Sequence, residues 1–141
     1  MAFQKDYILR MIEMMGDLIA AILGQIKKGD YDTATRSVEN AYQQFLREDA
    51  AFFSAIPREK LTEKLLGEHN YTNGHLEILS SLFFAQAELL FATGKKGESL
   101  GFYEKSALLL EFVIKESRTY SAERESHLLS LKDRIRTLTQ D

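Results

Sequence analysis

Apolar residues near the start of the chain recur with alternating spacings of four and three. One row consists of Ile8, Ile12, Met15, Ile19, Ile22 and Ile26, and a second row beside it consists of Tyr7, Met11, Met14 and Leu18. This spacing is typical of an α-helix and predicts a helix over 3–28. The two rows span roughly half of the helix circumference, whereas a surface helix buries an arc of about 100°. This helix is therefore expected to contact more than one neighbour.

The rest of the chain also has helical periodicity, and no segment alternates apolar and polar residues as a half-buried strand would. Gly29, Gly67 and Gly94 each follow an apolar periodic segment, where a left-handed residue often ends a helix, and Pro57 suits a first helical turn. The sequence predicts an all-α fold of about six helices in a single domain over 1–141. After the first helix, the predicted helices span 30–48, 57–66, 74–93, 97–118 and 121–139, with a short piece near 50–55.

Two turn segments, 27–34 and 93–99, share one pattern. In each, an apolar helix ends at a glycine, a few polar residues follow, and the next helix begins with a small residue that recurs seven positions later. Small residues at this spacing allow two helices to approach closely, and the same reason is expected to make Gly101 tolerable inside its helix. The pattern predicts tight antiparallel hairpins. The small residues are Ala34 and Ala41 in the first hairpin, and Ser99 and Ser106 in the second.

The second hairpin resembles the tetratricopeptide repeat at six positions: Phe83, Ala87, Leu90, Ser99, Tyr103 and Ser106. The resemblance implies hairpins stacked as an α-α superhelix. Three features depart from the repeat: Gln86 replaces an apolar residue, the closing proline is missing, and the helices are long. In addition, Gly29 and Gly94 lie 65 positions apart, short of two repeats of about 34 residues.

The opening segment 3–13, Phe-Gln-Lys-Asp-Tyr-Ile-Leu-Arg-Met-Ile-Glu, extends this resemblance. Together with the hairpins, it is similar to a family of small bacterial tetratricopeptide-like helical domains of unknown function. The resemblance implies an intracellular bacterial protein without an assigned activity. It transfers no catalytic residues to this chain.

Charge and composition narrow the class of partner. The chain has 21 acidic and 18 basic residues, a formal charge of −3, and its basic residues are scattered. Nucleic acid is therefore not an expected partner. The absence of cysteine suits a reducing compartment, so a cytoplasmic location is expected. The longest apolar run near the start, 18–23, is too short for a signal peptide or a membrane span, so membrane association is not expected.

One cluster of residues could bind a metal: Glu68, His69, His75 and Glu77. Its histidines are six positions apart around a turn, instead of sharing one helical face, so solvated histidines in a polar turn are the preferred interpretation. The other acidic residues lie mostly in mixed-charge helical faces, as at 123–125. We therefore predict no metal, no cofactor and no enzymatic activity.

The expected function is protein–protein interaction or assembly, because helical hairpins form grooves. The chain also has an excess of apolar surface and no catalytic motif in its sequence. The alternative is a small helical enzyme or ligand-binding bundle whose site is assembled from dispersed residues. The expected partner is a protein or peptide of unknown identity. A homodimer through the first helix could cover the second apolar row of that helix. Alternatively, the segments near 50–55 and 57–66 could cover this row within one chain. Adjacent aromatic residues add to the candidate contact set, which is Tyr7, Met11, Met14, Leu18, Phe52 and Phe53.

Overall fold

The computed structural model describes the backbone of residues 2–117 and 119–140, and the side chains of 7–117 and 119–140. Over these ranges the protein contains helices and no strand, which confirms the all-α prediction. The α-helices are α1 (Ala2–Lys27), α2 (Tyr31–Ala41), α3 (Ala50–Ser54), α4 (Leu61–Gly67), α5 (Asn73–Ala92), α6 (Lys96–Glu116) and α7 (Ala122–Gln140), with a π-helical turn at Tyr42–Leu46 and a 3-10 turn at Arg58–Lys60.

Both predicted hairpin turns are closed by a glycine in the left-handed region. Gly29 has φ 80° and Gly94 has φ 85°. At the first turn, the Gly29 N–H donates to the Ile26 carbonyl at 3.0 Å and the Asp30 N–H donates to the Gln25 carbonyl at 2.9 Å. The second turn repeats this pattern of bonds. This arrangement satisfies the last carbonyls of each helix and needs a residue without a Cβ, so the local sequence dictates both turns.

The segment between the hairpins differs from the prediction. Instead of one helix over 30–48, α2 ends at Ala41 and continues as the π-helical turn, which ends at Arg47 with φ 58°. Gly67 is the last residue of α4 and not a left-handed cap; the left-handed residue is Asn70, with φ 57°. Asparagine tolerates this conformation better than most residues, so it can perform the role expected of glycine.

Helix α5 lies at the centre of the fold and packs against α1, α2 and α6. Its length and its mean hydropathy of 1.2 would allow it to cross a membrane, and it is the one helix in the described ranges that meets both conditions. However, 56% of this apolar segment is buried inside the protein. A helix surrounded by other helices is apolar on all sides, so packing explains the composition of α5.

Small buried residues bring the helices of each hairpin together, as predicted. Ala34, Ala41 and Ser99 are fully buried. Between α5 and α6, the Ser80 Oγ donates to the Ser106 carbonyl at 2.8 Å, and the Ser106 Oγ donates to the Ser80 carbonyl at 2.7 Å. The interpretation of Gly101 was wrong: it is exposed, and a Cβ built there meets no neighbouring atom.

The core has two adjoining parts. The larger is formed by α1 to α6, and the smaller lies between the second hairpin and α7, where Leu128 and Leu131 are buried. A polar contact holds α7 in place: Glu88 Oε1 accepts from the Tyr103 hydroxyl at 3.0 Å and from the Arg134 guanidinium at 3.1 Å. The pairing of hairpins agrees with the all-α prediction, while the superhelical arrangement of a tetratricopeptide stack stays a prediction.

Candidate functional site

The six residues predicted to contact a partner are divided between the core and the surface. Met11 is 6% exposed and Phe53 is fully buried, so neither is available to a partner. The prediction that these two residues contact a partner was wrong. Tyr7 is 60% exposed and Met14 is 52% exposed. Leu18 and Phe52 are half-buried and pack against the larger part of the core. The surface part of the prediction therefore reduces mainly to Tyr7 and Met14.

Phe53 is buried because it is the centre of an aromatic cluster in the core. Its ring centroid lies 5.8 Å from that of Tyr42, 6.3 Å from that of Phe83 and 6.4 Å from that of Tyr71. The neighbouring Phe52 lies edge-on to Phe53 at 5.1 Å. Helix α3 is short, but it delivers these two rings to the core and so fixes the segment between the hairpins. Core filling accounts for this pair of aromatic residues.

The histidines of the possible metal cluster are partly exposed and also make structural contacts. His75 Nδ1 accepts from the Thr72 N–H at 3.1 Å, while the Thr72 Oγ accepts from the His75 N–H, which forms a capping box at the start of α5. The His75 ring stacks on Tyr71 at 5.0 Å, and burial lowers the pKa of His75. His69 lies edge-on to Phe52 at 4.9 Å. The predicted polar turn is therefore correct in part: both histidines are partly exposed, and each also packs against an aromatic ring.

A cleft of about 460 Å³ lies beside the first turns of α1, where they cross the start of α5. We call it the N-terminal cleft. Its apolar wall includes Leu9, which is 49% exposed, and its far side is closed by the end of α6 and the start of α7. The complete lining consists of Ile8, Leu9, Ile12, Thr72, Asn73, Gly74, Glu77, Val113, Ser117 and Arg124.

A glycine sets the distance between the two helices that form this cleft. A Cβ on Gly74 would overlap the Cγ2 of Ile8. The isoleucine is branched at Cβ and has one strongly preferred χ1 rotamer in a helix, so this methyl group can move away only through a less favourable rotamer or a shift of α1. Gly74 therefore allows α1 to lie directly against the first turn of α5.

An ion pair forms the polar wall of the N-terminal cleft. The Arg124 guanidinium donates to the Glu77 carboxylate at 2.7 Å and to the Ser117 hydroxyl at 3.3 Å. Both charged side chains are mostly buried, so water screens them less than it screens surface pairs. Because the two charges satisfy each other, this wall attracts neither anions nor cations strongly.

The opposite flank of α1 carries a second exposed surface. We call it the outer row and define it as Tyr7, Arg10, Met14, Asp17 and Ala21, all of which are exposed. Helix α1 has 26 residues, whereas α2 and the π-helical turn have 11 and 5. The first turns of α1 therefore extend beyond the helix that folds back on it, and Tyr7 lies in this extension. Met14, Asp17 and Ala21 are exposed because they lie to one side of the buried residues Met15 and Ile22 on α1.

A wider groove of about 500 Å³ lies between α6, α7 and the 3-10 turn. Ion pairs cross its rim: Arg58 bonds Glu104 at 2.7 Å, and Lys132 lies 3.5 Å from Glu111. Partly buried Leu108 and Phe112 form its floor. Its charges are mutually compensated and exposed, which makes it an ordinary solvated surface.

Buried polar groups elsewhere have structural roles. Burial, followed by the adjacent Glu88 carboxylate, raises the pKa of Tyr103 above its ordinary value of 10.0. The Lys105 ammonium donates to the Ser54 carbonyl at 2.9 Å at the end of α3, and burial lowers its pKa. Across the portion of the chain that is described, no three His, Asp or Glu side chains gather in a potential metal site. These contacts join helices.

Three features of the N-terminal cleft were not identified in the sequence. Leu9 lay outside both apolar rows, and Gly74 was predicted as the first residue of a helix. Glu77 and Arg124 are 47 residues apart, and neither belongs to a motif that would indicate the other. For Leu9 alone a signal existed, since it is a large apolar residue on the polar side of a predicted helix.

Comparison of the chain with protein-family models, curated proteins and solved structures finds no significant match. The resemblance to tetratricopeptide-like domains thus rests on the residues that first suggested it. All six of those residues are buried in the second hairpin: Phe83, Ala87, Leu90, Ser99, Tyr103 and Ser106.

Proposed function

We propose that this protein is a non-catalytic protein–protein interaction module whose N-terminal cleft binds an apolar peptide segment. The observation that carries the proposal is Leu9, a large apolar side chain that is half-exposed at the mouth of a largely apolar cleft. When a partner covers an apolar wall that is in contact with water, the free energy of the complex falls by roughly 25 cal/mol per Å² of apolar surface buried. Exposed apolar surface beside a concave site is typical of partner binding.

The polar groups of the cleft favour a segment without a strong net charge. Glu77 and Arg124 already neutralise each other, so an acidic or basic tail would have to displace one of them at the cost of an unpaired, partly buried charge. The hydroxyls of Thr72 and Ser117 are already hydrogen-bonded within the chain, and the Asn73 side chain is the neutral polar group at the rim. An amide of this kind can bond the backbone of a peptide while the peptide's apolar side chains contact Ile8, Leu9 and Ile12.

The proposal is tested by selecting peptides from a random displayed library against the immobilised protein. We expect enriched peptides to be rich in apolar residues and to bind with little dependence on salt. Replacing Leu9→Glu introduces a charge at the mouth of the cleft and is expected to weaken their binding by about tenfold or more. Binding is measured by calorimetry with the wild type and each variant.

Leu129→Glu is the matched control, because Leu129 is a 68% exposed leucine on α7, outside the N-terminal cleft. It should bind the selected peptides like the wild type. The proposal is wrong if the peptides bind Leu9→Glu and the wild type equally, or if the selected peptides are uniformly charged.

A small-molecule-binding bundle is the second candidate function. The volume of the cleft, about 460 Å³, falls within the range of typical ligand pockets, and an ion pair on one wall could orient a polar ligand. Thermal-shift screening of a metabolite library distinguishes this function. A compound that stabilises the wild type but not Glu77→Gln would favour it over peptide binding.

A further inference from the structure

The outer row of α1 has the spacing of a helix-pairing seam. Tyr7, Met14 and Ala21 are seven residues apart, so they project within about 40° of one another on a helix of 3.6 residues per turn. Arg10 and Asp17 lie along one edge of this line. The row therefore has an apolar centre and a charged edge, as helix-pairing surfaces have.

The order of the charges specifies the partner and its orientation. If an identical helix packed parallel and in register, the two-fold axis would run along the helices and place the two charged edges on opposite sides of the pair, so Arg10 and Asp17 would gain no partner of opposite charge from each other. In an antiparallel pair with a two-fold axis beside Met14, Asp17 of the partner subunit lies opposite residue 11. Along the helix axis, Arg10 and this aspartate are therefore offset by one residue, or about 1.5 Å. The symmetry forms this attractive contact twice.

The sizes of the side chains favour the same arrangement. In the antiparallel pair, the large Tyr7 ring faces Ala21 of the partner subunit, and Gly24 lies one turn beyond. A Cβ built on Gly24 meets no atom of its own chain, so packing within one chain does not require a glycine there. Small residues opposite a large ring allow two helices to pack closely.

We propose that the outer row binds a second copy of this chain, antiparallel, in a two-fold dimer. The covered residues are Tyr7, Met14 and Ala21, with Arg10 paired to Asp17 of the partner subunit at both ends. Ile8, Leu9 and Ile12 project from roughly the opposite side of α1. The dimer therefore leaves the N-terminal cleft open, and this proposal does not depend on the proposed function of the cleft.

Charge reversal tests the dimer by sedimentation equilibrium. The wild type should have twice the 16.2 kDa mass of one chain at tens of micromolar, the range in which weak dimers form. Arg10→Asp and Asp17→Arg should each raise the dimer dissociation constant about tenfold or more, because like charges then meet twice. An equimolar mixture of the two variants, or the double variant Arg10→Asp/Asp17→Arg, should restore dimers.

Both charged residues are exposed, so circular dichroism should show that every variant remains folded. A wild type with the mass of one chain at these concentrations overturns the proposal. So does a folded mixture that forms no dimer, or an Arg10→Asp variant that dimerises like the wild type.

Cysteine cross-linking tests the orientation, because the chain has no cysteine of its own. A mixture of Tyr7→Cys and Ala21→Cys should form the mixed disulfide, since a disulfide requires Cα atoms within about 7 Å. Tyr7→Cys alone should form no more disulfide than the control Leu129→Cys. Efficient cross-linking of Tyr7→Cys to itself would show a parallel pair and contradict the antiparallel proposal.

Discussion

The two helical hairpins begin with the same turn but differ in how well their helices match. Helices α5 and α6 have 20 and 21 residues and contact each other along their length, with α1 and α7 packed against them. In the first hairpin, α1 has 26 residues and its partner α2 only 11 before the π-helical turn. Over its described residues 73–116, the matched hairpin has no exposed large apolar side chain, whereas α1 of the mismatched hairpin leaves Tyr7, Leu9 and Met14 exposed.

The apolar side chains of the two hairpins therefore differ in whether they stabilise the fold or remain available to a partner. In the described part of the second hairpin no large apolar side chain is exposed, so these side chains mainly stabilise the fold. In the first hairpin Tyr7, Leu9 and Met14 retain contact with water. The outer row lies on this hairpin, and the N-terminal cleft lies between α1 and the start of α5. The same helix thus supplies part of the core and the surface that a partner can cover.

The largest expected effect contrasts one buried and one exposed side chain of these hairpins. Phe83→Ala in α5 removes a fully buried ring that contacts Phe53 and Phe102, and should lower the free energy of unfolding by about 3–5 kcal/mol. Met14→Ala should change it by less than about 0.5 kcal/mol. Urea denaturation at a concentration where the protein is monomeric measures both. Similar losses for the two variants would contradict the contrast between the hairpins.

Two buried tyrosines, one in each hairpin, provide an intermediate effect. The Tyr103 hydroxyl donates to the Glu88 carboxylate, so Tyr103→Phe should lower the free energy of unfolding by about 1.5–3 kcal/mol. The Tyr42 hydroxyl is buried without a hydrogen-bond partner among the residues described, so Tyr42→Phe should be neutral or stabilising by up to about 1 kcal/mol. Denaturation of the two variants side by side measures this difference. A destabilised Tyr42→Phe would reveal a partner for that hydroxyl.

The smallest effect concerns pH at the junction of α1 and α5. Burial lowers the pKa of His75 below its ordinary value of 6.5, so the unfolded chain binds more protons than the folded chain in the range just below that value. The contribution of His75 to stability is therefore complete above pH of about 6.5 and decreases as the pH falls further. Protonation of Nδ1 also removes the acceptor of the Thr72 N–H.

His75→Gln tests this prediction, because glutamine can accept the same capping hydrogen bond without titrating. Between about pH 7.5 and pH 5.5, the melting temperature of the wild type should fall further than that of the variant. Burial also lowers the pKa of His127, so His127→Gln is the comparison variant, and its effect should add to that of His75→Gln. An identical pH dependence of the wild type and His75→Gln would show that His75 does not contribute.

The sequence predicted the helices and the hairpin turns well, because both depend on residues close together in the chain. Gly29 and Gly94 have the predicted left-handed conformation, and the predicted small residues of the hairpins are buried. In the segment 42–73, α3 and α4 lie close to the predicted piece near 50–55 and the predicted helix 57–66, whereas the π-helical turn and the left-handed conformation of Asn70 were not predicted. The π-helical turn and the left-handed Asn70 change the direction of the chain so that α3 and α4 reach the core. The helix propensity of a short segment does not indicate where such a change of direction is needed.

The apolar rows of α1 determined that this helix needs two neighbours, but they could not determine which residues those neighbours cover. Met11 and Met14 belong to the same predicted row, yet one is buried and the other exposed. Glu77 and Arg124 meet only because α7 returns to the start of α5. Periodicity is a property of neighbouring residues, so the sequence alone determines helices and turns. Burial and ion pairing depend on segments that are distant in the chain, so only the tertiary structure decides them.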